Sequence, residues 1–252
     1  MLLPLLIASI ANASECSLSP SVLLPYTRGG TATRAEWRVS RTAVENLMAA
    51  CPAGPVDSRS RAIFFQLVEK EFTYEYALSQ EGESESVIQF QHDLQRYMTR
   101  ITTERDLPAK SVIITYGNAE AINALGAAVK DDVLRMAREQ EHVVGYSRHS
   151  PQRQALATLG YWVDPHDSRF SATEKREMTS VLLARLGDYG SAAPLVGPPY
   201  ATVSVLLQAL AHSDEPEVAS ALRNWTRSPD ASLREVAFRS SEAVQKRLQQ
   251  DR

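Results

Sequence analysis

Tyr200 to Gln250 read YATVSVLLQALAHSDEPEVASALRNWTRSPDASLREVAFRSSEAVQKRLQQ. Three blocks of this stretch repeat aliphatic residues every three or four positions: Val203–Leu210, Val218–Trp225 and Leu233–Leu248. Such spacing places the apolar side chains on one face of an α-helix. Short polar breaks separate the blocks. In them, Asp214 is suited to cap the second helix, and Asp230 or Ser232 the third. The stretch therefore predicts three consecutive amphipathic helices.

A single helix of this kind cannot bury its apolar stripe alone. Helices of roughly 12–20 residues joined by very short turns pack against their neighbours in sequence, as in bundles and α-solenoids. Further helices are predicted upstream, where Thr33 and Ser171 each stand three residues before a glutamate in a capping box. The β-branched run Val112–Tyr116 fits either a short strand or a buried helical turn. We expect an all-α protein, with a helical bundle in the N-terminal half followed by an array of α-α hairpins.

Two segments resemble a known repeat family. Residues 229–237 read PDASLREVA and residues 151–160 read PQRQALATLG. Both are similar to the second-helix signature of HEAT repeats, the second of them to the short bacterial variety. The resemblance covers about residues 150–250. It implies a HEAT-like α-solenoid of the armadillo type in the C-terminal half, whose concave face would bind another protein.

The same resemblance gives roles to individual residues. Asp230, Arg234 and Arg153 match positions that form ladders between stacked HEAT repeats. Faint internal similarity points the same way, because 149–162 can be laid over 212–225 without a gap, with His-Ser at the start and Trp at the end. We expect true repetition, although the number of repeats stays open.

Composition describes an ordinary globular chain. Its 252 residues are 44% hydrophobic, which is enough for a sizeable core in one or two domains. The formal net charge is -3, so the chain has no general attraction to nucleic acid or to an anionic membrane. No apolar run approaches the length of a membrane-spanning helix, and stable membrane insertion is not expected.

The N-terminus has the pattern of an export signal. An apolar run is followed by Ala11-Asn12-Ala13, an A-x-A cleavage site, so residues 1–13 are predicted to be a signal peptide; the alternative is a buried N-terminal helix. The two cysteines, Cys16 and Cys51, are predicted to form a disulfide in an oxidising compartment. We therefore expect a periplasmic or secreted protein. Residues 14–142 would form the helical N-terminal region and 143–252 the HEAT-like region.

Catalytic and metal-binding patterns are weak. Ser147 lies in GYSRH, which lacks the last glycine of a nucleophile elbow and follows a predicted helix rather than a strand. Glu139 and His142 have the spacing of a di-iron helix, but no second such pair is present. The sequence therefore predicts no catalytic residue, no metal ligand and no cofactor.

Arginine is the residue type most suited to an interface in the C-terminal half, because its planar fork pairs with carboxylates. We expect Arg153, Arg223, Arg227 and Arg234 to be binding residues. A solvated helical face would explain the same arginines without a partner. The expected function is that of an exported, non-enzymatic scaffold or adaptor that binds another protein of unknown identity, with its oligomeric state open.

Two other functions stay open. An enzyme or small-molecule binder would have its site in the N-terminal half, lined by the aromatic cluster Phe72, Tyr74 and Tyr76 and by Glu69 or Glu71. A purely structural protein of the cell envelope is the third reading.

Overall fold

The structure, a computed structural model, describes most of the chain. The described residues are 16–23, 33–55, 57–72, 82, 84–102, 110–140, 150–192 and 194–250. The predicted signal peptide at 1–13 lies outside them.

Eleven α-helices are present in the described ranges, which contain no β-strand, so the predicted all-α class is confirmed. In chain order they are α1 (Arg34–Ala50), α2 (Ser58–Glu71), α3 (Glu85–Ile101), α4 (Lys110–Tyr116), α5 (Ala119–Ala124), α6 (Lys130–Arg138), α7 (Pro151–Trp162), α8 (Ala172–Gly187), α9 (Pro198–Leu210), α10 (Pro216–Trp225) and α11 (Ala231–Gln250).

The chain divides into two compact units, Met1–Ile101 and Thr102–Arg252, called unit 1 and unit 2 below. The sequence predicted a boundary between residues 142 and 143 instead. The difference arises because α5 and α6 pack on α7 and so belong with the second unit.

Unit 1 is built around aromatic side chains from α1, α2 and α3. Trp37, Phe72 and Phe90 meet edge to face, with ring centroids 5.1–6.4 Å apart. The buried Tyr97 ring meets Phe64 in the same way, and its hydroxyl donates a 2.9 Å hydrogen bond to the backbone oxygen of Cys51. Edge-to-face pairs of this kind add stabilisation beyond the area that they bury.

A disulfide closes unit 1. Cys16 and Cys51 are bonded, with a Cα–Cα distance of 5.5 Å, as the sequence predicted. Cys51 caps the end of α1, so the bond holds the segment 16–23 against the helices. Buried Leu18 adds a 2.9 Å hydrogen bond from its backbone N–H to Ser60 Oγ.

Unit 2 is a set of helical hairpins in two layers. Helices α6 and α7, α8 and α9, and α10 and α11 pair as hairpins. The second helices α7, α9 and α11 also contact one another in order, and α6 contacts α8. The predicted stripes supply the buried side chains, among them Leu206, Leu222 and Leu233.

Helices α7 and α9 approach most closely at Gly160. A Cβ atom there would lie 2.8 Å from Ala209 Cα and 2.9 Å from its Cβ, closer than such atoms come. Glycine is therefore required for this crossing, which the sequence pattern did not indicate.

Several local predictions are refined by the structure. Val112–Tyr116 lies in helix α4, so the strand alternative is wrong. Asn118 caps α5, and the helix stops at Ala124 because Gly126 has a φ of 57° and a 3-10 turn follows. Asp230 caps α11 as predicted, accepting from the N–H groups of Ser232 and Leu233.

The capping predicted for Asp214 is not observed. The N-cap of α10 is Glu215, and its side chain makes no capping hydrogen bond. Proline at the first helical position, Pro216, lacks an N–H group and so leaves fewer donors for a side chain to satisfy.

Candidate functional site

The last hairpin carries two of the four predicted binding arginines at one place. Arg223 lies in the last turn of α10 and Arg227 just beyond it, and both are exposed. Within the part of the chain that the structure describes, neither side chain forms a hydrogen bond or an ion pair. Their charges are therefore available to a partner.

Arg234 has a structural role in the same hairpin. Its Nη1 donates to the backbone oxygens of Ser228 and Pro229, at 2.7 and 2.9 Å, and so fixes the loop between α10 and α11. Phe238 follows one turn later on α11 and is 52% exposed. Because residues i and i+4 are neighbours on a helix, Phe238 lies on the same side of α11 as Arg234.

We call Arg223, Arg227 and Phe238 together the docking surface. Exposed arginines and an exposed aromatic ring are the residue types found in interaction hot spots. The sequence pattern identified the arginines but not Phe238, whose apolar ring could not be assigned to the outside of α11 until the helix was oriented.

Arg153 does not join this surface. It lies in the first turn of α7, where its backbone N–H donates to Ser150 Oγ, and its side chain is half-buried. Helix α7 packs mainly against α5, α6 and α9. The four predicted arginines therefore do not form one cluster.

Asp230 and Arg234, which the HEAT resemblance predicts to be ladder residues, do not join successive hairpins in the structure. Asp230 and Arg234 bond within their own hairpin, as described above. Contacts between successive hairpins are made instead by Lys130 Nζ to Glu174 Oε1 at 2.6 Å, Arg138 to Glu177 at 2.8 Å and Arg176 to Glu215 at 3.3 Å. Five of these six residues lie in the first helices of the hairpins, and the sixth, Glu215, is the N-cap of α10.

Glu174 is the most strongly held of these carboxylates. The hydrogen bond from Lys130 Nζ, together with those from Ser171, lowers the pKa of Glu174 to about 2. The same bond raises the pKa of Lys130. Both groups therefore stay charged at neutral pH.

Polar contacts also join the second helices and their loops. Arg247 Nη2 donates to the backbone oxygens of Ala211 and Ser213, and Ser213 Oγ lies 3.0 Å from Thr179 Oγ1. At the other end of unit 2, Trp162 Nε1 donates to Asn123 Oδ1 at 2.8 Å.

The spacing of these contacts along the chain is regular. The hydrogen bonds that join successive hairpins, or that join α5 to α7 and the loop after it, connect residues 34 to 46 positions apart. A separation near 40 residues is the length of one two-helix repeat in HEAT and armadillo arrays. The internal similarity seen in the sequence does not follow this spacing, because residues 151–162 form the second helix of a hairpin and residues 216–225 form the first helix of another.

A shallow groove lies between α7 and α9. Its volume is about 150 Å³, and Tyr161, Gln208 and His212 are among its lining residues. Loss of hydration lowers the pKa of His212, and nearby Arg247 lowers it further, against the opposite effect of Asp164. The imidazole is therefore held in its neutral form at neutral pH.

No protein-family model matches the chain. Comparison with curated proteins and with solved structures found no match either.

The structure adds no support for the weak catalytic patterns. Ser147 and His142 lie outside the described residues, and Glu139 pairs with Arg135 at 2.9 Å. In the described ranges, no group of three or more histidine, cysteine or acidic residues is arranged to hold a metal ion. A helix long and apolar enough to span a bilayer is likewise absent from those ranges.

The alternative small-molecule site rested on an aromatic cluster. Phe72 is 2% exposed and packs against Trp37 and Phe90, so it fills the core of unit 1. Tyr74 and Tyr76 lie outside the described residues.

Proposed function

We propose that this chain is an exported, non-enzymatic helical-repeat protein that binds another protein through the docking surface on its last hairpin. The observation that carries the proposal is the pair of exposed arginines, Arg223 and Arg227, which have no partner among the described residues; Phe238 of the same hairpin is also exposed. Two cations and an aromatic ring would be matched by a partner that presents carboxylates around an apolar pocket.

The arrangement of unit 2 supports a HEAT-like assignment for this half of the chain. Hairpins stack in two layers, and their polar contacts recur at about one repeat length. Arrays of this type offer extended faces for binding, since each hairpin needs only its neighbours to bury its apolar stripe.

Export is proposed on two grounds. The disulfide between Cys16 and Cys51 is typical of proteins in oxidising compartments. The sequence of residues 1–13 has the pattern of a signal peptide, which would direct the chain to the periplasm or the outside of the cell.

The test is a charge reversal on the docking surface. Tagged chain is cross-linked in envelope extract, and the proteins captured by wild type are compared with those captured by R223E/R227E. We expect the double variant to lose a specific protein. The matched control, R59E/R96E, changes the net charge equally at exposed positions of unit 1 and should keep it.

Two results would count against the proposal. The first is that wild type and R223E/R227E capture the same proteins while circular dichroism shows that both chains are folded. The second is a catalytic turnover by the purified chain that Ser147→Ala or Glu139→Ala abolishes.

A further inference from the structure

The ion pairs between successive hairpins of unit 2 all have the same direction along the chain. In each pair the cation belongs to the earlier hairpin and the carboxylate to the later one: Lys130 with Glu174, Arg138 with Glu177, and Arg176 with Glu215. A hairpin that is followed by another therefore presents a basic side chain to it.

Arg223 lies on the corresponding side of the last hairpin. Arg138 directly follows Ala137 on α6, and Arg223 directly follows Leu222 on α10. Ala137 and Leu222 are both fully buried, and each has a fully buried valine four positions before it. Because spacing from the buried residues fixes the direction of a side chain on a helix, Arg223 extends from α10 as Arg138 extends from α6 toward Glu177.

Phe238 lies on the matching side of the second helix. Gly160 directly follows buried Leu159 on α7, and there α7 meets Ala209 of α9, the second helix of the next hairpin. Phe238 directly follows buried Ala237 on α11, and a fully buried residue stands four positions before Leu159 and Ala237 alike. Phe238 is therefore placed where a following hairpin would bring its second helix.

This side of the last hairpin is open to solvent. Arg223 and Phe238 are exposed, and no described residue pairs with Arg223. Arg234 and Gln245, the neighbours of Phe238 along the same side of α11, are polar and exposed. A mostly polar outer face is the property of a terminal repeat, so we expect a contact that forms and releases.

We propose that the docking surface receives an α-helical hairpin of the partner protein, which lies beside α10 and α11 as one more layer of the array. This inference rests on the proposed function and names the structural class of the partner. One helix of the partner carries a carboxylate that meets Arg223 as Glu177 meets Arg138, and Phe238 enters between its two helices.

A second copy of this chain is disfavoured as the occupant. The opposite side of the array, which it would have to offer, is already covered. There Lys110 of α4 pairs with Asp132 of α6 at 2.8 Å, and α5 packs on α7.

The test uses the full chain and a defined probe, a labelled synthetic peptide of residues 171–211. This peptide contains α8 and α9, the hairpin that stacks on α6 and α7 in the chain itself. We expect saturable binding in fluorescence anisotropy, with a midpoint about tenfold higher for R223E/R227E. The charge-matched control R59E/R96E should bind the peptide as wild type does.

Two further peptides separate a stacked hairpin from general charge attraction. The E177K peptide should bind wild type about tenfold more weakly and should recover its affinity for R223E/R227E. A scrambled peptide has the same net charge but no amphipathic helices, and it should not bind.

Three results would overturn the inference. The first is the absence of saturable binding by wild type, and the second is binding that R223E/R227E leaves unchanged or that the scrambled peptide reproduces. The third is self-association of the full chain in sedimentation that R223E/R227E abolishes, which would assign the surface to a second copy. If R223E/R227E still loses a specific protein from envelope extract after the first or second result, the proposed function stands and only the helical class of its partner is wrong.

Discussion

Removal of the disulfide should destabilise unit 1 by about 4 kcal/mol. Cys16 and Cys51 are 35 positions apart, and the loop-closure relation for a cross-link of that size gives about 13 cal/mol/K, or about 4 kcal/mol at 25 °C. Domains are commonly stable by about 5–15 kcal/mol, so this is a large part of the total. The perturbation is the double variant C16S/C51S, with reduction of the wild-type bond as an independent route to the same state.

The effect should be confined to one unit, because the bond lies entirely within unit 1. Urea unfolding is followed by hydrogen exchange with mass spectrometry, which reports the units separately. With a slope of about 2 kcal/mol/M, the midpoint for peptides from α1 and α2 should fall by about 2 M. Peptides from α9 and α11 in unit 2 serve as the internal control and should keep their midpoint.

Two outcomes would refute this reasoning. A shift below about 1 kcal/mol in unit 1 would mean that the segment 16–23 is held by its other contacts, such as the hydrogen bond from Leu18 to Ser60, and not by the cross-link. An equal loss of protection in unit 2 would mean that the two units do not unfold separately.

Three further predictions concern unit 2. Gly160→Ala should destabilise it by about 1–3 kcal/mol in urea melts, since the added methyl group collides with Ala209; an unchanged midpoint would refute the close crossing. Arg247→Met should remove about 1.5–3 kcal/mol through the lost bonds to the loop after α9, whereas Arg239→Met, exposed on the same helix, should change stability by less than about 0.5 kcal/mol. The pKa of His212 is lowered on folding, so the unfolded chain binds the proton more tightly. The free energy of unfolding should therefore be highest above about pH 6.5 and should fall as the pH drops below that value. The variant His212→Gln should flatten this pH dependence in melts at a series of pH values.

Many helix signals in the sequence were accurate where local chemistry decides the outcome, although the cap predicted at Asp214 is not formed. Thr33 and Ser171 form the capping boxes expected of them, and the aliphatic stripes of 200–250 are buried. These features depend on residues a few positions apart, which interact whatever the rest of the chain does.

The candidate site depends on which arginines are exposed and unpaired, and the sequence does not give this. Arginine composition pointed to Arg223 and Arg227, but it also included Arg234, which the structure commits to the carbonyls of its own loop. The sequence also could not distinguish Arg185 or Arg247 from exposed arginines. Helices that are distant in the sequence determine whether such a long side chain is buried and which acceptor its guanidinium reaches.

The sequence by itself determined most of the helices, the caps at Thr33 and Ser171, the cysteine pair and the all-α class, because each follows from short-range periodicity or from a simple count. Only the tertiary structure decided which helices pair, where the chain divides and which charged side chains face solvent. The hydrogen bonds responsible join residues that are 34 to 46 positions apart in the sequence, and they depend on how neighbouring hairpins stack. A one-dimensional pattern gives the face of a helix that will be buried, but not the partner that buries it.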